Sequence, residues 1–315
     1  MLEGPRWAPS TAQSGIRIGK FENCHLLSSG LSSEVYRSSG SALKVIVETQ
    51  HIEPHSGSLE RKVLQLLHHP NIIQLKSWFL DESHRLVMEL PFLPCTLGSF
   101  IEQHDGPIAS PVLRSMCIGV FNALQYIHEG HSGLIHRDLK PSNILLSVVP
   151  PTNAAHIQLI DFGTCWHPQL SATREPETHK VIDVGTSCYR APETLFGNRS
   201  YTSAVDIWAF GCILVECIRP HHETLFAANG AEENGNQLAL ITSIFQTIGT
   251  PTEVDWPEAQ EWKTNPFGMW LIVPGKSWSD LLGPESWSTG LIRRCIVFQS
   301  SERICARDAL RVLLE

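Results

Sequence analysis

A chain of 315 residues with 42% hydrophobic and 18% charged side chains has an ordinary globular balance, long enough for one or two domains around a sizeable core. A formal net charge of −8 speaks against a sequence-independent grip on nucleic acid, so any anionic ligand has to be met by local cations. Nine cysteines without a CxxC pair speak against a disulfide framework or a zinc site. The start MLEGPRWAPS has no basic-then-apolar leader and no apolar run reaches eighteen residues, which together point to cytosol or nucleus and away from a membrane.

Alternating apolar runs at Cys24 to Leu27, Glu34 to Arg37, Ala42 to Val47, Ile72 to Phe79 and Arg85 to Leu90 predict short antiparallel strands. One helical segment, Leu59 to Leu67, interrupts them and is closed by His69-Pro70-Asn71. Past about residue 95 the periodicity turns helical, as in Ser115 to His128 and Val205 to Cys217, while Pro150-Pro151-Thr152-Asn153 reads as a turn. The expected class is α+β. A small β-rich lobe at about 20–91 precedes a larger helical lobe at about 92–315, with residues 1–19 as an N-terminal extension.

His136-Arg137-Asp138-Leu139-Lys140-Pro141-Ser142-Asn143 sets an Asp and an Asn five residues apart, with a Lys two after the Asp. Eighteen residues after Asn143, the strand Ile157-Gln158-Leu159-Ile160 runs into Asp161-Phe162-Gly163, and Tyr189-Arg190-Ala191-Pro192-Glu193 follows. Upstream, Ala42-Leu43-Lys44 puts a lysine on a strand and Glu60 stands nine residues before His69. Over roughly residues 20–313 these motifs resemble the eukaryotic Ser/Thr protein kinases. The resemblance implies a bilobal protein kinase fold, with ATP and Mg²⁺ as cofactors and a protein hydroxyl as substrate.

Phosphoryl transfer needs a carboxylate to take the substrate hydroxyl proton, a cation near the transferring group and oxygen ligands for the metal. By resemblance these are Asp138, Lys140, and Asn143 with Asp161 on Mg²⁺. Lys44 would hold the ATP phosphates with Glu60 orienting it, and Val35, Ala42 and Leu145 would sandwich the adenine. Glu193, pairing with Arg303, and Asp206, bracing the catalytic loop, are expected to be architectural.

Two stretches depart from the family pattern. Where a glycine-rich phosphate loop should stand, the chain reads Ser28-Ser29-Gly30-Leu31-Ser32-Ser33-Glu34-Val35, so only Gly30 survives and a plain hairpin turn explains the stretch equally well. Ser28 and Gly30 remain the expected phosphate contacts. Aligning Leu86-Val87-Met88-Glu89-Leu90-Pro91 with the hinge puts Met88 at the gatekeeper and Pro91 where an N–H normally meets the adenine, leaving the Glu89 carbonyl as the remaining bond. A two-residue misalignment is the alternative.

Ser243 to Pro257 closely resembles the corresponding segment of cyclin-dependent kinases, yet the residues before Glu60, His51 to Ser58, carry no cyclin-docking motif. With the degraded glycine loop and the Pro-Phe hinge, this resembles the monomeric CDK-activating kinases of fungi. That resemblance implies a cyclin-dependent kinase as protein substrate, no required cyclin and a monomer. Two readings stand beside it: a CDK-like kinase with other Ser/Thr substrates, and a pseudokinase scaffold. Counting back from Ala191 to the usual phosphothreonine position lands on Val181, so Arg137 needs another anion, with Glu175, Glu177 and Asp183 within the segment and Thr178 as a competing phosphosite.

Overall fold

The computed structural model describes residues 15–30, 32–47, 53–130, 133–149, 154–227 and 237–315. The expected turn at Pro150 to Asn153, Leu31 of the expected phosphate loop, His51, Ile52 and residues 1–14 lie outside the described residues.

Strands β1 (Ile16–Ile18), β2 (Phe21–Ser29), β3 (Ser33–Ser38), β4 (Ser41–Ile46), β5 (Ser77–Leu80) and β6 (Leu86–Pro91) form one antiparallel sheet in the order β1-β2-β3-β4-β6-β5. β1 lies ahead of the boundary expected at residue 20 and adds to the sheet edge through Ile16 opposite Cys24. The run expected as a strand from Ile72 to Phe79 is extended-sheet only at its end. Ile72 instead forms an isolated bridge with Leu159 of the second lobe, to whose carbonyl the Ile73 N–H donates at 3.0 Å.

Helix α1 (Gly57–Leu66) crosses the sheet with Glu60, Val63 and Leu64 buried. Its N-cap Ser56 accepts from the Leu59 N–H at 3.2 Å, and the Ser56 N–H donates to the Gly163 carbonyl at 2.8 Å. The start of α1 is thereby tied to the segment that carries Asp161.

The second lobe is helical. It contains α2 (Leu97–Glu102), α3 (Ser110–Gln125, continued by a π turn at Tyr126–Gly130), the hairpin β7 (Ile144–Val149) and β8 (Ala154–Leu159), then α4 (Pro192–Leu195) and α5 (Ala204–Ile218). Helices α6 (Gln237–Ile248), α7 (Trp278–Leu282), α8 (Trp287–Cys295) and α9 (Ala306–Leu314) complete it. Every residue of α5 from Val205 to Cys217 is buried, the pattern of a helix surrounded on all sides, and burying each large apolar side chain there contributes about 1.5–3 kcal/mol. Gly119 of α3 allows β8 to come close: a Cβ there would stand 2.6 Å from Ile157. That approach places the strand leading into Asp161.

Candidate active site

Three local pieces meet between the lobes. The turn Pro141–Asn143 runs straight into β7, Ile144 pairs with Leu159 of β8, and the Ile160 N–H donates to the Asn143 carbonyl at 3.0 Å. Asn143 and Asp161, far apart in sequence, therefore become neighbours. From the opposite lobe, Lys44 of β4 reaches across with its Nζ 2.8 Å from Glu60 and 2.7 Å from Asp161.

Burial alone would weigh against the Lys44 charge, but the Asp161 and Glu60 carboxylates outweigh it and hold its pKa well above the ordinary lysine value. Burial likewise acts to raise Asp161, and the Lys44 ammonium more than reverses this, keeping its carboxyl well below the usual range. All three groups are thus in the arrangement that phosphate binding needs, with α1 swung inward.

Asp138 sits on the other side of the cleft floor. Its Oδ2 lies 3.0 Å from Lys140 Nζ and accepts from Asn143 Nδ2 at 3.2 Å; that same amide nitrogen donates to the Asp138 carbonyl at 2.8 Å. Its Oδ1 accepts from the Thr186 hydroxyl at 2.6 Å, and Lys140 donates to Thr186 as well, at 3.0 Å. Thr186 was missed by the sequence reading. The signal was there in its place, three residues before Tyr189, but a lone threonine in a loop has no periodicity to mark it.

Two of the non-glycine residues with positive φ lie here. Arg137 (φ 70°) and Asp161 (φ 65°) lie in the left-handed region, at a cost of roughly 1–3 kcal/mol each. Arg137 is held by Asp206, whose carboxylate accepts from the His136 and Arg137 N–H groups, both at 2.9 Å, and contacts His128 Nε2 at 2.8 Å. The Asp138 N–H donates to His136 Nδ1, so Nε2 carries the hydrogen that meets the Ile160 carbonyl at 3.0 Å. Glu193 and Arg303 form a bidentate pair at 2.6 and 2.7 Å with both side chains fully buried, the bracing role expected of them.

A cleft of about 610 Å³ separates the lobes. Ser28, Gly30, Val35, Ala42, Lys44, Glu60, Pro91, Leu145, Asn143, Lys140 and Asp161 all line it, as expected, joined by Ile73 and Leu90, which the sequence reading did not name. Three expected residues are not among those that line it: Asp138, which sits beside it, Met88 and Glu89. Met88 is fully buried behind the wall, and Glu89 points to the outer face of the sheet, where its carboxylate accepts from Ser41 and Ser77 at 2.8 and 2.7 Å. Side chains alternate along β6, so Glu89, next to the cleft-lining Leu90, turns to the other face of the sheet. The Glu89 carbonyl is already engaged by the Lys76 N–H at 2.9 Å.

On either side of Leu31 the chain pairs antiparallel: Ser29 is opposite Glu34, and the Gly30 N–H donates to the Ser33 carbonyl at 2.9 Å. A Cβ on Gly30 would meet nothing closer than 3.7 Å, so the turn itself does not require glycine.

Asn143 commits its amide nitrogen to Asp138, which leaves its oxygen as the ligating atom, and Asp161 is 40% exposed along the same cleft. Among the described residues no cluster of three His, Cys, Asp or Glu side chains could hold a metal by itself. Two oxygen ligands completed by phosphates and water suit Mg²⁺, which seldom takes an all-protein cage.

This geometry agrees with the comparisons. The protein kinase domain family matches residues 21–313. The chain belongs to that family. It is similar to Cell division control protein 2 homolog 2 of Trypanosoma brucei brucei, 32% identical over 262 residues, which cover 82% of this chain and 69% of that protein. It is also similar to Cyclin-dependent kinase G-1 of Oryza sativa subsp. indica (26%; 97% of this chain, 44% of that one). Cyclin-dependent kinase F-3 of Oryza sativa subsp. japonica is 29% identical, with 80% and 53% covered. The chain spans about half the length of the two Oryza proteins. It is a Ser/Thr protein kinase of the CDK-like branch that uses ATP with Mg²⁺.

In this kinase ATP carries the phosphoryl group and Mg²⁺ neutralises the charge that develops on it. The chain's own residues position: Lys44 is fixed between two carboxylates, Asn143 orients Asp138, and Lys140 stands beside the Asp138 carboxylate, the group expected to take the acceptor hydroxyl proton.

Pro91 lines the cleft without an N–H to offer. Pro91→Leu is expected to tighten inhibitors that both donate to and accept from the hinge by several-fold, one such hydrogen bond being worth about 0.5–1.5 kcal/mol. A binding titration with unchanged affinities would show that Pro91 does not face the adenine edge.

Proposed function

We propose that this kinase phosphorylates the activation-segment threonine of cyclin-dependent kinases, acting as a monomer without a cyclin and without phosphorylation of its own activation segment. The observation that carries the reading is the surroundings of Arg137. Its side chain is fully buried, and each of its nitrogens is satisfied from within the chain. Glu175 takes the guanidinium in a two-point contact at 2.6 and 3.1 Å, Tyr201 accepts at 3.1 Å, and the Thr164 and Cys165 carbonyls accept at 2.5 and 3.1 Å. A guanidinium has five N–H donors, and five acceptors are in place.

An enzyme that activates others by phosphorylating their loops has to work before its own loop is modified, and a carboxylate in the phosphate's place meets that need. The second support is α1, which is already seated with Glu60 on Lys44 and Ser56 on Gly163, so no partner is needed to push it inward. Nine unpaired thiols favour a reducing compartment, cytosol or nucleus.

The test is a panel of cyclin-free, unphosphorylated cyclin-dependent kinases beside generic substrates, with phosphosites mapped after initial-rate incubation. Transfer to a single activation-segment threonine, in the absence of any cyclin, is expected. Transfer confined to generic substrates would replace this reading with that of a CDK-like kinase acting on other proteins.

A further inference from the structure

The rim of the nucleotide cleft, Leu90 to Cys95, is rich in hydrogen-bond acceptors and poor in donors. Pro91 and Pro94 have no N–H, and the Phe92 N–H is turned away to the Gly40 carbonyl at 3.4 Å, with the Arg37 guanidinium 4.4 Å over its ring. The far end of the rim is tied to the cleft floor: the Leu146 N–H donates to the Cys95 carbonyl at 2.9 Å, and Thr96 bridges to Leu145. Anchored at both ends, the rim keeps its prolines where they stand. Each of its residues retains a carbonyl, and a carbonyl oxygen has two lone pairs to offer.

One purine is told from another at its polar edge. Val35, Ala42 and Leu145, which sandwich the base, are apolar, and an apolar wall discriminates poorly between ligands of the same shape. Adenine presents a donor, its N6 amino group, beside an acceptor, N1. Guanine presents two donors, N1–H and the N2 amino group, beside the acceptor O6. An N–H at the place of Pro91 would match adenine and oppose guanine N1–H. A rim that offers carbonyls there satisfies both guanine donors but only one group of adenine. We propose that this kinase takes GTP as well as ATP as its phosphoryl donor, Pro91 being the residue that removes the discrimination against guanine.

The transfer itself is the same with either nucleotide. The acceptor Ser or Thr oxygen bonds to the γ-phosphorus while the bond from that phosphorus to the bridging oxygen breaks. GDP leaves with the electron pair of the broken bond, and the hydroxyl proton passes to Asp138. Lys44, Asn143 and Asp161, the residues expected to hold the phosphates and the metal, face groups that GTP and ATP have in common. Base choice therefore falls to the rim alone.

The proposal rests on the chain's phosphotransferase activity and is independent of which protein it modifies. The experiment uses the full chain, a protein substrate that it phosphorylates with Mg-ATP, and chromatographically purified γ-labelled GTP, with Asp138→Asn in parallel. The kcat/KM with Mg-GTP is expected to lie within about tenfold of that with Mg-ATP, the factor that one ordinary hydrogen bond is worth. Pro91→Leu, which restores the N–H, should move the ratio about tenfold in favour of ATP, chiefly through KM. Pro91→Ala restores the same N–H with a smaller side chain and is read in its place if the leucine variant melts early.

A wild-type rate with GTP about a hundredfold or more below that with ATP overturns the proposal and assigns adenine N1 to another N–H of the rim, that of Leu93 or Cys95. So does a nucleotide ratio that the Pro91 variants leave unchanged, or GTP-dependent transfer that survives Asp138→Asn and so belongs to a contaminant. Should the chain transfer phosphate from neither nucleotide, the phosphotransferase reading is at fault. Displacement of a fluorescent ATP analogue then decides the rim, GTP competing within about tenfold of ATP supporting the role of Pro91 and GTP failing to compete sinking it.

Discussion

Asp138→Asn is expected to lower kcat on a verified protein substrate by roughly 10²–10⁴-fold while leaving Mg-ATP binding in place. The carboxylate lies 2.6 Å from the Thr186 hydroxyl and 3.0 Å from Lys140, which shows that a hydroxyl can approach Oδ1 while the ammonium stands beside Oδ2. An amide at this position keeps the shape but cannot take the proton. Lys44 and Asp161, the residues expected to hold the nucleotide and its metal, pair with each other apart from Asp138, so a melting shift with Mg-ATP should persist in the variant. Asp161→Asn should behave in the opposite way, weakening the metal-dependent shift itself. Initial rates with labelled ATP and melting curves on both variants separate the two roles, and a D138N enzyme retaining most of its rate would refute the assignment.

The second large effect concerns Arg137 and Glu175. Removing the carboxylate with Glu175→Ala leaves a fully buried guanidinium short of two acceptors, a situation that costs about 3–5 kcal/mol. The Val181 N–H, which also donates to Glu175 at 3.0 Å, is orphaned too. Activity is expected to fall at least tenfold, because the same residue chain carries the Asp138 backbone.

Acid should reproduce the loss. Burial acts to raise the Glu175 carboxyl, but the bonds from Arg137 dominate and its pKa is depressed. A depressed acid contributes its stabilisation in full above the unfolded value of about 4.5 and loses it as pH falls through the folded value. The stability gap between wild type and Glu175→Gln should therefore be constant from pH 6 to 8 and close below about pH 4.5.

Phosphorylation, by contrast, should not matter. Thr178 is exposed and its hydroxyl lies 3.1 Å from His179, away from Arg137, while Lys180 donates to the Glu177 carbonyl and packs over Trp166 and Tyr201. Phosphatase-treated protein, confirmed unmodified by intact mass, and Thr178→Ala are both expected to run at wild-type rates. Loss of activity in both would mean that Glu175 does not stand in for a phosphate.

Much of the catalytic apparatus was readable along the chain because it is written locally. Asp138, Lys140 and Asn143 lie within one short loop, Asp161 directly follows a strand, and Lys44 and Glu60 are spaced from fixed neighbours, so residue type and interval matched the motifs of the family they resemble. Helix α5 was legible as a segment because burial on every side leaves it apolar from Ile207 to Val215. Folding had to decide the rest. Three carboxylates in the activation segment were equally available to Arg137, and only packing sent Glu175 to it, Asp183 to Arg190 and Glu177 to the surface. Irregular loops have no period, so the partner of a charge 38 residues away cannot be read from spacing. Likewise the turn of Glu89 away from the cleft depends on which face of β6 the second lobe covers. A sequence carries the chemistry of each side chain; which groups meet across the fold, and which are left without a partner, is set by the close packing of elements far apart in the chain.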